Sequence, residues 1–488
     1  MFDPVFWIKT AQLVLALAIL IICHEGGHFI AAKCFGIKVE KFFLFFDYKW
    51  HLISTRDAWV QRLFPAVRNW ETEYGIGWIP LGGYVKIAGM IDESMDKEQM
   101  QQPVQPWEFR AKRPWQRLIV MLGGVAVNML LAMLIYAGIM WAWGSDSLPM
   151  DRNFSDGFHF NRTAQEMGFM NGDKPLRLDS TEIKEYHYGQ FMTALAEART
   201  VTVLRQGEGF AADSTGFTPY EVEIELPEDF PLLTVLKEQP RFLAPISPAI
   251  IDSVAPGTPA AEVGWTPGTR LMALDDIDGV MTDICSWNAF NEIMQRRYDV
   301  INAEGCTAAD SLRMRSINVQ FMLPGDTLCR SAHVSLTPEL TFGIVMRMWA
   351  ADAVFDHHDY TILEAIPEGC QLGWDTLVDY VAQLKYLFSK EGAQSVGSFG
   401  TIGSLFPATW DWNNFWSLTA FISIILAFMN VLPIPGLDGG HAFFTIIEML
   451  TGYTFSEKFQ ERAITVGFAL IMMLMLLAIY NDLDRFVF

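Results

Sequence analysis

A chain of 488 residues can hold several domains, and its 51% hydrophobic content with slightly positive mean hydropathy lies a little above the soluble norm. A net charge of −21 excludes the basic face that nucleic-acid binding needs, so no nucleic-acid partner is expected. The cysteines form no C-x-x-C pair, which removes the zinc ribbon and the dithiol redox motif from consideration.

The first predicted span runs from about Val5 to Phe29. Its start has neither the basic flank nor the small-residue cleavage site of a secretory signal, so it is expected to be retained. The loop that follows, Lys33 to Arg117, holds more Lys and Arg than Asp and Glu. Within it, Tyr74 to Met90 alternates β-formers with glycine, and Gly82-Gly83 marks a tight turn or a close backbone approach. The second span is Leu118 to Trp143, the third Phe415 to Pro433 and the fourth Ala463 to Tyr480. The long stretch between the second and third is strongly acidic, and Lys458 and Arg462 stand just before the fourth. The positive-inside bias therefore puts the first loop and the last connection in the cytosol, with both termini and the acidic region outside. A large soluble enzyme with buried helices is the alternative, but the fourth run is too long and too free of charge for it.

The acidic region contains two echoes of one pattern, "TAQEMGFMNGDKPLRLDSTEI" from Thr163 and "PGTPAAEVGWTPGTRLMALDDI" from Pro256. Thr269 in the second stands where the first has Asp173, and an insertion is expected near Asp299 to Leu312. Cys285, Cys306, Cys329 and Cys370 fall outside, where disulfides are permitted. "GWDTLVDYVAQLKYLFSK", ahead of the third span, has helical apolar spacing and is expected to pack near the membrane surface.

The first span carries "ILIICHEGGHFIAAKC", residues 19 to 34, where two histidines and a glutamate interrupt an apolar run. Each such group costs about 2.5 kcal/mol or more at the centre of a bilayer, so something must compensate them. His24 and His28, four apart, share one helix face, and H-E-x-x-H is the arrangement in which two imidazoles hold zinc and Glu25 acts as general base. Catalytic zinc usually takes a third protein ligand and keeps one open position. With an outside N-terminus, His24 lies near the cytosolic end of the span, at about 1.5 Å per residue across a ~30 Å core. The third span also travels inward and ends in "NVLPIPGLDGGH", Asn430 to His441, which brings Asp438 to a similar depth. Pro433 and Pro435 break the helix there, and irregular backbone at that depth must line an enclosed or wet cavity. His441 and the run Asp356 to Asp359 are weaker candidates for metal binding.

H-E-G-G-H in the first span with N-x-x-P-x-P-x-L-D-G in the third resembles the site-2 protease family of intramembrane metalloproteases. "IPLGGYVKIAGM", Ile79 to Met90, is similar to its RseP-like branch, and "GGVAVN", Gly123 to Asn128, resembles that branch's G-P-x-x-N. The resemblance implies that His24, His28 and Asp438 hold Zn2+ and that Glu25 is the catalytic base. It implies that Asn430, Pro433 and Pro435 help position substrate. It also implies a membrane-associated β element, with Gly82, Gly83 and Tyr84, that captures an unwound substrate by strand pairing. The two echoes resemble PDZ domains, which that branch carries in tandem.

The fold expected is a polytopic α-helical membrane protein with four transmembrane helices, a membrane-associated β element and extracytoplasmic α/β PDZ-like domains. Its parts are the first helix at 1–34, a cytosolic loop at 35–117 and the second helix at 118–143. PDZ-like domains at 144–245 and 246–345, then a periplasmic helix and loop at 346–413, make up the outside. The third helix with the L-D-G motif is expected at 414–442 and the fourth, with the C-terminus, at 443–488. The function implied is zinc-dependent intramembrane cutting of single-span proteins, such as anti-sigma factors or remnant signal peptides, in a bacterial inner membrane. Partners are then the transmembrane segments of those substrates, membrane lipid, and peptide C-termini at the PDZ-like domains. A PDZ-bearing membrane scaffold with an inactive site is the alternative, against which the intact Glu25 and both metal motifs argue.

Overall fold

The structure, a computed structural model, describes residues 4–80, 82–90, 103–205, 219–238, 240–284, 286–303, 305–387 and 397–486. Cys285 lies outside these. The chain forms two compact units, one of Met1–Ser145 with His358–Phe488 and one of Asp146–His357.

In the first unit, α1 (Pro4–Cys34) is stopped by Gly36, whose φ of +64° lets the Ile37 N–H turn back to the Ala32 carbonyl at 2.9 Å. Four strands follow: β1 (Val39–Leu44), β2 (Phe46–Ser54), β3 (Glu73–Ile79) and β4 (Tyr84–Ile87). They form one sheet in the order β2-β3-β1-β4. β1 runs parallel to β3, with Phe42 beside Tyr74 and Leu44 beside Ile76, and antiparallel to β4. The sheet is fixed to the helices by a core of Ile37, Val39 and Ile87 with Ala32, Val120 and Met121.

Helix α2 (Pro114–Trp143) starts with proline at its first turn, where a missing N–H costs nothing, and the Gln116 side chain accepts from the Arg113 N–H at 3.1 Å. It crosses α1 with almost no gap. A Cβ on Gly27 would stand 2.3 Å from the Gly123 carbonyl oxygen, so glycine on both helices is what permits this approach.

The second unit is a structural duplication. Its first half has β5 (Phe158–Phe160), α3 (Arg162–Glu166), β6 (Lys174–Leu178), β7 (Thr181–Glu182), α4 (Tyr188–Glu197), β8 (Thr200–Arg205), β9 (Tyr220–Glu225) and β10 (Leu243–Pro245). The second half repeats this as β11 (Ile251–Val254), α5 (Pro259–Val263), β12 (Arg270–Asp275), β13 (Met281–Asp283), α6 (Trp287–Asn302), β14 (Ser316–Met322), β15 (Arg330–Ser335) and β16 (Ile344–Met346). The sheets have the same orders, β9-β8-β6-β7 with β10-β5, and β15-β14-β12-β13 with β16-β11. An extra helix, α7 (Ala308–Arg315), precedes β14 at the place of the expected insertion. Asp173 and Thr269 do the same work: each accepts the backbone N–H three residues earlier, at 2.9 Å from Met170 and 3.2 Å from Thr266. Asp173 adds a two-pronged ion pair with Arg205, at 2.9 and 2.7 Å.

The chain returns to the first unit through α8 (Ile362–Leu387). This helix was expected to begin later and to pack at the membrane surface, but it starts eleven residues earlier and runs along the spans. A Cβ on Gly369 would meet the Ala137 backbone at 2.2 Å, Gly373 faces Met133, and Tyr380 touches Phe421 and Phe428. Two glycines four apart again allow the close approach, a signal that apolar spacing does not carry. After α9 (Phe399–Leu405), helix α10 (Trp412–Val431) is capped by Asp411 and ties to α2 through Ser423, which donates to the Asn128 carbonyl at 2.8 Å. The third helix was expected to continue through the L-D-G motif. It ends at Val431, and Asp438 opens a separate helix, α11 (Asp438–Thr451), because Pro433, Pro435 and Gly436 (φ +97°) turn the chain between them. Helix α12 (Glu457–Phe486) completes the unit. α1, α2, α10 and α12 are long and apolar enough to cross a membrane.

Candidate metal centre

Two helices bring three atoms to a common point: α1 supplies His24 and His28, and α11 supplies Asp438. His24 Nε2 and His28 Nε2 are 3.3 Å apart, and each is 3.2 Å from Asp438 Oδ2. Ligands about 2.0–2.1 Å from a tetrahedral ion stand about 3.3 Å from one another, so this triangle has the size of a zinc face with the fourth position open. Asp438 Oδ2 is buried and has no hydrogen-bond partner, although two imidazole nitrogens are beside it. A cation at the centre would satisfy all three atoms, and two imidazoles with a carboxylate are a donor set that suits zinc.

The histidines are aimed by α2. His28 Nδ1 lies 2.8 Å from the Val120 carbonyl and donates to it, which leaves the Nε2 lone pair for a metal. His24 Nδ1 lies 3.3 Å from the carboxamide of Asn128, a fully buried residue whose Oδ1 has no partner. Turned over, that carboxamide presents Oδ1 to His24 Nδ1–H, which satisfies the orphaned oxygen and sets the same tautomer as at His28. Gly124 makes room for both rings, since a Cβ there would stand 2.4 Å from His28 Nε2 and 2.7 Å from His24 Cε1. Asp438 is placed by its own glycines. Gly439 and Gly440 lie against the carbonyls of Leu432 and Ile434, where any side chain would force the loop away.

Other expected site residues divide by location. The carboxamide of Asn430 is 3.5 Å from His24 Nε2, at the edge of the triangle. Pro433 and Pro435 shape the loop between α10 and α11, and the Pro435 carbonyl meets α12 at Gly467. Gly82 and Gly83 precede the edge strand β4, Gly82 against the Phe46 ring and Gly83 against Ile21 of α1. The Tyr84 ring is stacked between Phe43 and Phe46, and its hydroxyl donates to Asp47 at 3.0 Å. Its side chain is thus committed within the protein, and only its backbone is suited to meeting a ligand. Asp356 and His357 are engaged by Arg152 and Asp146 respectively. Among the described residues, the group of metal-ligating type whose donor atoms converge within 4.8 Å is His24, His28 and Asp438. Reading the sequence did not give Val120, Gly124 and Asn128 their parts in aiming the histidines. Their motif, G-G-x-x-x-N, was visible, but its contact with the histidines was not.

The family model for peptidase family M50 matches residues 12–474. The chain belongs to peptidase family M50. It is 25% identical to the regulator of sigma-E protease RseP of Salmonella typhimurium, with 99% of each chain covered. It is 24% identical to the regulator of sigma E protease of Haemophilus influenzae, covering 98% of this chain and 99% of that one. A Neisseria meningitidis relative, 26% identical over 97% of this chain and 98% of its own, has the words zinc metalloprotease in its name. As an M50 peptidase with four apolar helices, the protein is a polytopic membrane metalloendopeptidase that uses zinc.

Proposed function

We propose that this M50 peptidase cuts single-span membrane proteins, anti-sigma factor-like substrates or remnant signal peptides, within a bacterial inner membrane. His24, His28 and Asp438 would hold the zinc. The converging triangle of three unbridged ligand atoms is the observation that carries this reading. Bound there, zinc supplies Lewis acidity, lowering the pKa of a water and polarising a carbonyl.

The residues supply the rest. A transmembrane helix hides its peptide bonds in its own hydrogen-bond ladder, so the substrate must be drawn out before it can be cut. The edge strand β4, after Gly82 and Gly83, offers a backbone template for the extended segment, and Asn430 stands where it can hold a substrate carbonyl. Glu25 then takes a proton from the attacking water and returns it to the departing amine. The first loop faces the cytosol. The duplicated unit lies outside, and its shared topology supports reading each half as a PDZ-like domain that meets substrate C-termini.

Purified protein, zinc analysis and a tagged single-span substrate test the assignment. Glu25→Gln should retain zinc and lose about 10²–10⁴-fold in rate, since it removes the base and no ligand. His24→Ala, His28→Ala and Asp438→Ala should each lose the metal. Full cleavage by Glu25→Gln protein would end this reading.

A further inference from the structure

Arg117 and Glu448 form an ion pair between α2 and α11, with Arg117 Nη2 donating to Glu448 Oε1 at 2.5 Å. The partners stand 331 residues apart in sequence, and both side chains are largely covered, with 18% and 20% of their surface exposed. Neither charge is favoured by its own helix. Arg117 is in the first turn of α2, where the macrodipole opposes a cation, and Glu448 is in the last turn of α11, where it opposes an anion. Each lies instead beside the end of the other helix, which favours it. The two charges therefore fit only when the start of α2 and the end of α11 are held together.

That pairing fixes α11 at the end opposite the metal centre. Closer to Asp438, Ala442 is buried in one core with Val120 and Met121 of α2. The contacts run antiparallel, from Glu448 at Arg117 to Ala442 at Val120 and Met121. One turn further on, Asp438 reaches the His28 ring, which lies against Gly124. α11 packs mainly on α2 and less on α10. α2 is thus a common template: Val120, Gly124 and Asn128 aim the histidines, while Arg117, Val120 and Met121 carry the helix that bears Asp438. Ala442 serves as the pivot, with Glu448 ~9 Å away along the helix and Asp438 ~6 Å away on the other side. A swing of about 1 Å at Glu448 then moves Asp438 by about 0.7 Å, more than the ~0.2 Å that a metal–ligand distance tolerates.

We propose that Arg117 and Glu448 are positioning residues for the metal centre: their ion pair sets the tilt of α11 and so the reach of Asp438 toward His24 and His28. The inference rests on the zinc reading above. The competing role is a general one, in which the pair stabilises the fold without setting where Asp438 stands.

The test uses full-length protein with Glu448→Ala, Arg117→Ala, both together, and the near-isosteric Glu448→Gln. Titration of bound zinc against a chelator should show about 10–100-fold weaker affinity for each alanine change, as when outer-shell support of a metal site is lost. The double alanine variant should be no worse than either single one, because both remove the same interaction. Glu448→Gln should lose about 3–10-fold, since a neutral hydrogen bond is about half as strong as a charge-assisted one. Glu71→Ala, which breaks the exposed Lys33–Glu71 pair, is the control and should leave zinc affinity unchanged. A readout that needs no metal joins His28→Cys to Asp438→Cys with a short bifunctional thiol reagent, in a background without other cysteines. The joining rate should fall several-fold when Glu448→Ala or Glu448→Gln is added. Unchanged zinc affinity and joining rate in both Glu448 variants, with only a lower unfolding midpoint, would overturn the proposal in favour of a general stabilising pair. Losses that add in the double variant would also overturn it, since the two residues would then act separately. If wild-type protein holds no zinc, the zinc reading fails, and the joining rates still decide whether the pair sets the place of Asp438.

Discussion

Gly124→Ala adds a single methyl group to α2, and the structure says what that group meets. Its Cβ would lie 2.4 Å from His28 Nε2 and 2.7 Å from His24 Cε1, whereas ordinary contact begins at 3.4 Å. The rings must then move by about 1 Å, several times the ~0.2 Å that a metal–ligand distance tolerates. Neither ring can move freely, because His28 is held by the Val120 carbonyl and His24 by Asn128. The expected loss is at least the 10–100-fold in metal affinity seen when outer-shell support is removed, with cleavage falling in step. Gly138→Ala on the same helix is the matched control, since a Cβ there meets nothing within 4 Å. Zinc per chain after dialysis against a graded chelator, together with the cleavage rate, measures both. If Gly124→Ala protein holds zinc as tightly as wild type and cuts as fast, the histidines do not occupy the positions described, and the reasoning fails.

Asn128→Ala should also weaken zinc about 10–100-fold, while Asn128→Asp, which can still accept from His24 Nδ1–H, should recover most of it in the same chelator titration. Asp173→Ala leaves Arg205 without its carboxylate inside the outer unit and should cost about 3 kcal/mol, read as a lowered midpoint in denaturant unfolding. In a cysteine-free background, a cysteine at Glu228 should react with an impermeant reagent in intact cells and one at Arg68 should not; the reverse pattern would invert the proposed topology.

Much of this molecule could be read from local pattern. The four apolar runs give the spanning helices, since length and hydropathy are properties of a segment by itself. H-E-x-x-H gives two ligands on one helix face, because residues four apart must lie a turn apart. The prolines after Val431 announce a break, although the sequence did not show that a new helix begins at Asp438 itself. The repeated pattern in the acidic region announced a duplication, and the structure adds that Thr269 replaces Asp173 without loss of the turn.

What tertiary structure alone decided is how distant segments share space. Gly27 and Gly123 are ordinary helix residues in sequence, and only the α1–α2 crossing makes them the contact that sets Val120, Gly124 and Asn128 against the histidines. The acidic and polar residues of α8 conceal that Gly369 and Gly373 lay it along the spans. The register that sets Phe42 beside Tyr74 and Ile53 beside Ile76 joins three strands that periodicity cannot align. Local geometry is fixed by the chain's own short-range sterics, so sequence determined the elements and the two-histidine motif. The distance from His24 to Asp438 depends on close packing between helices hundreds of residues apart, and that only the folded protein sets.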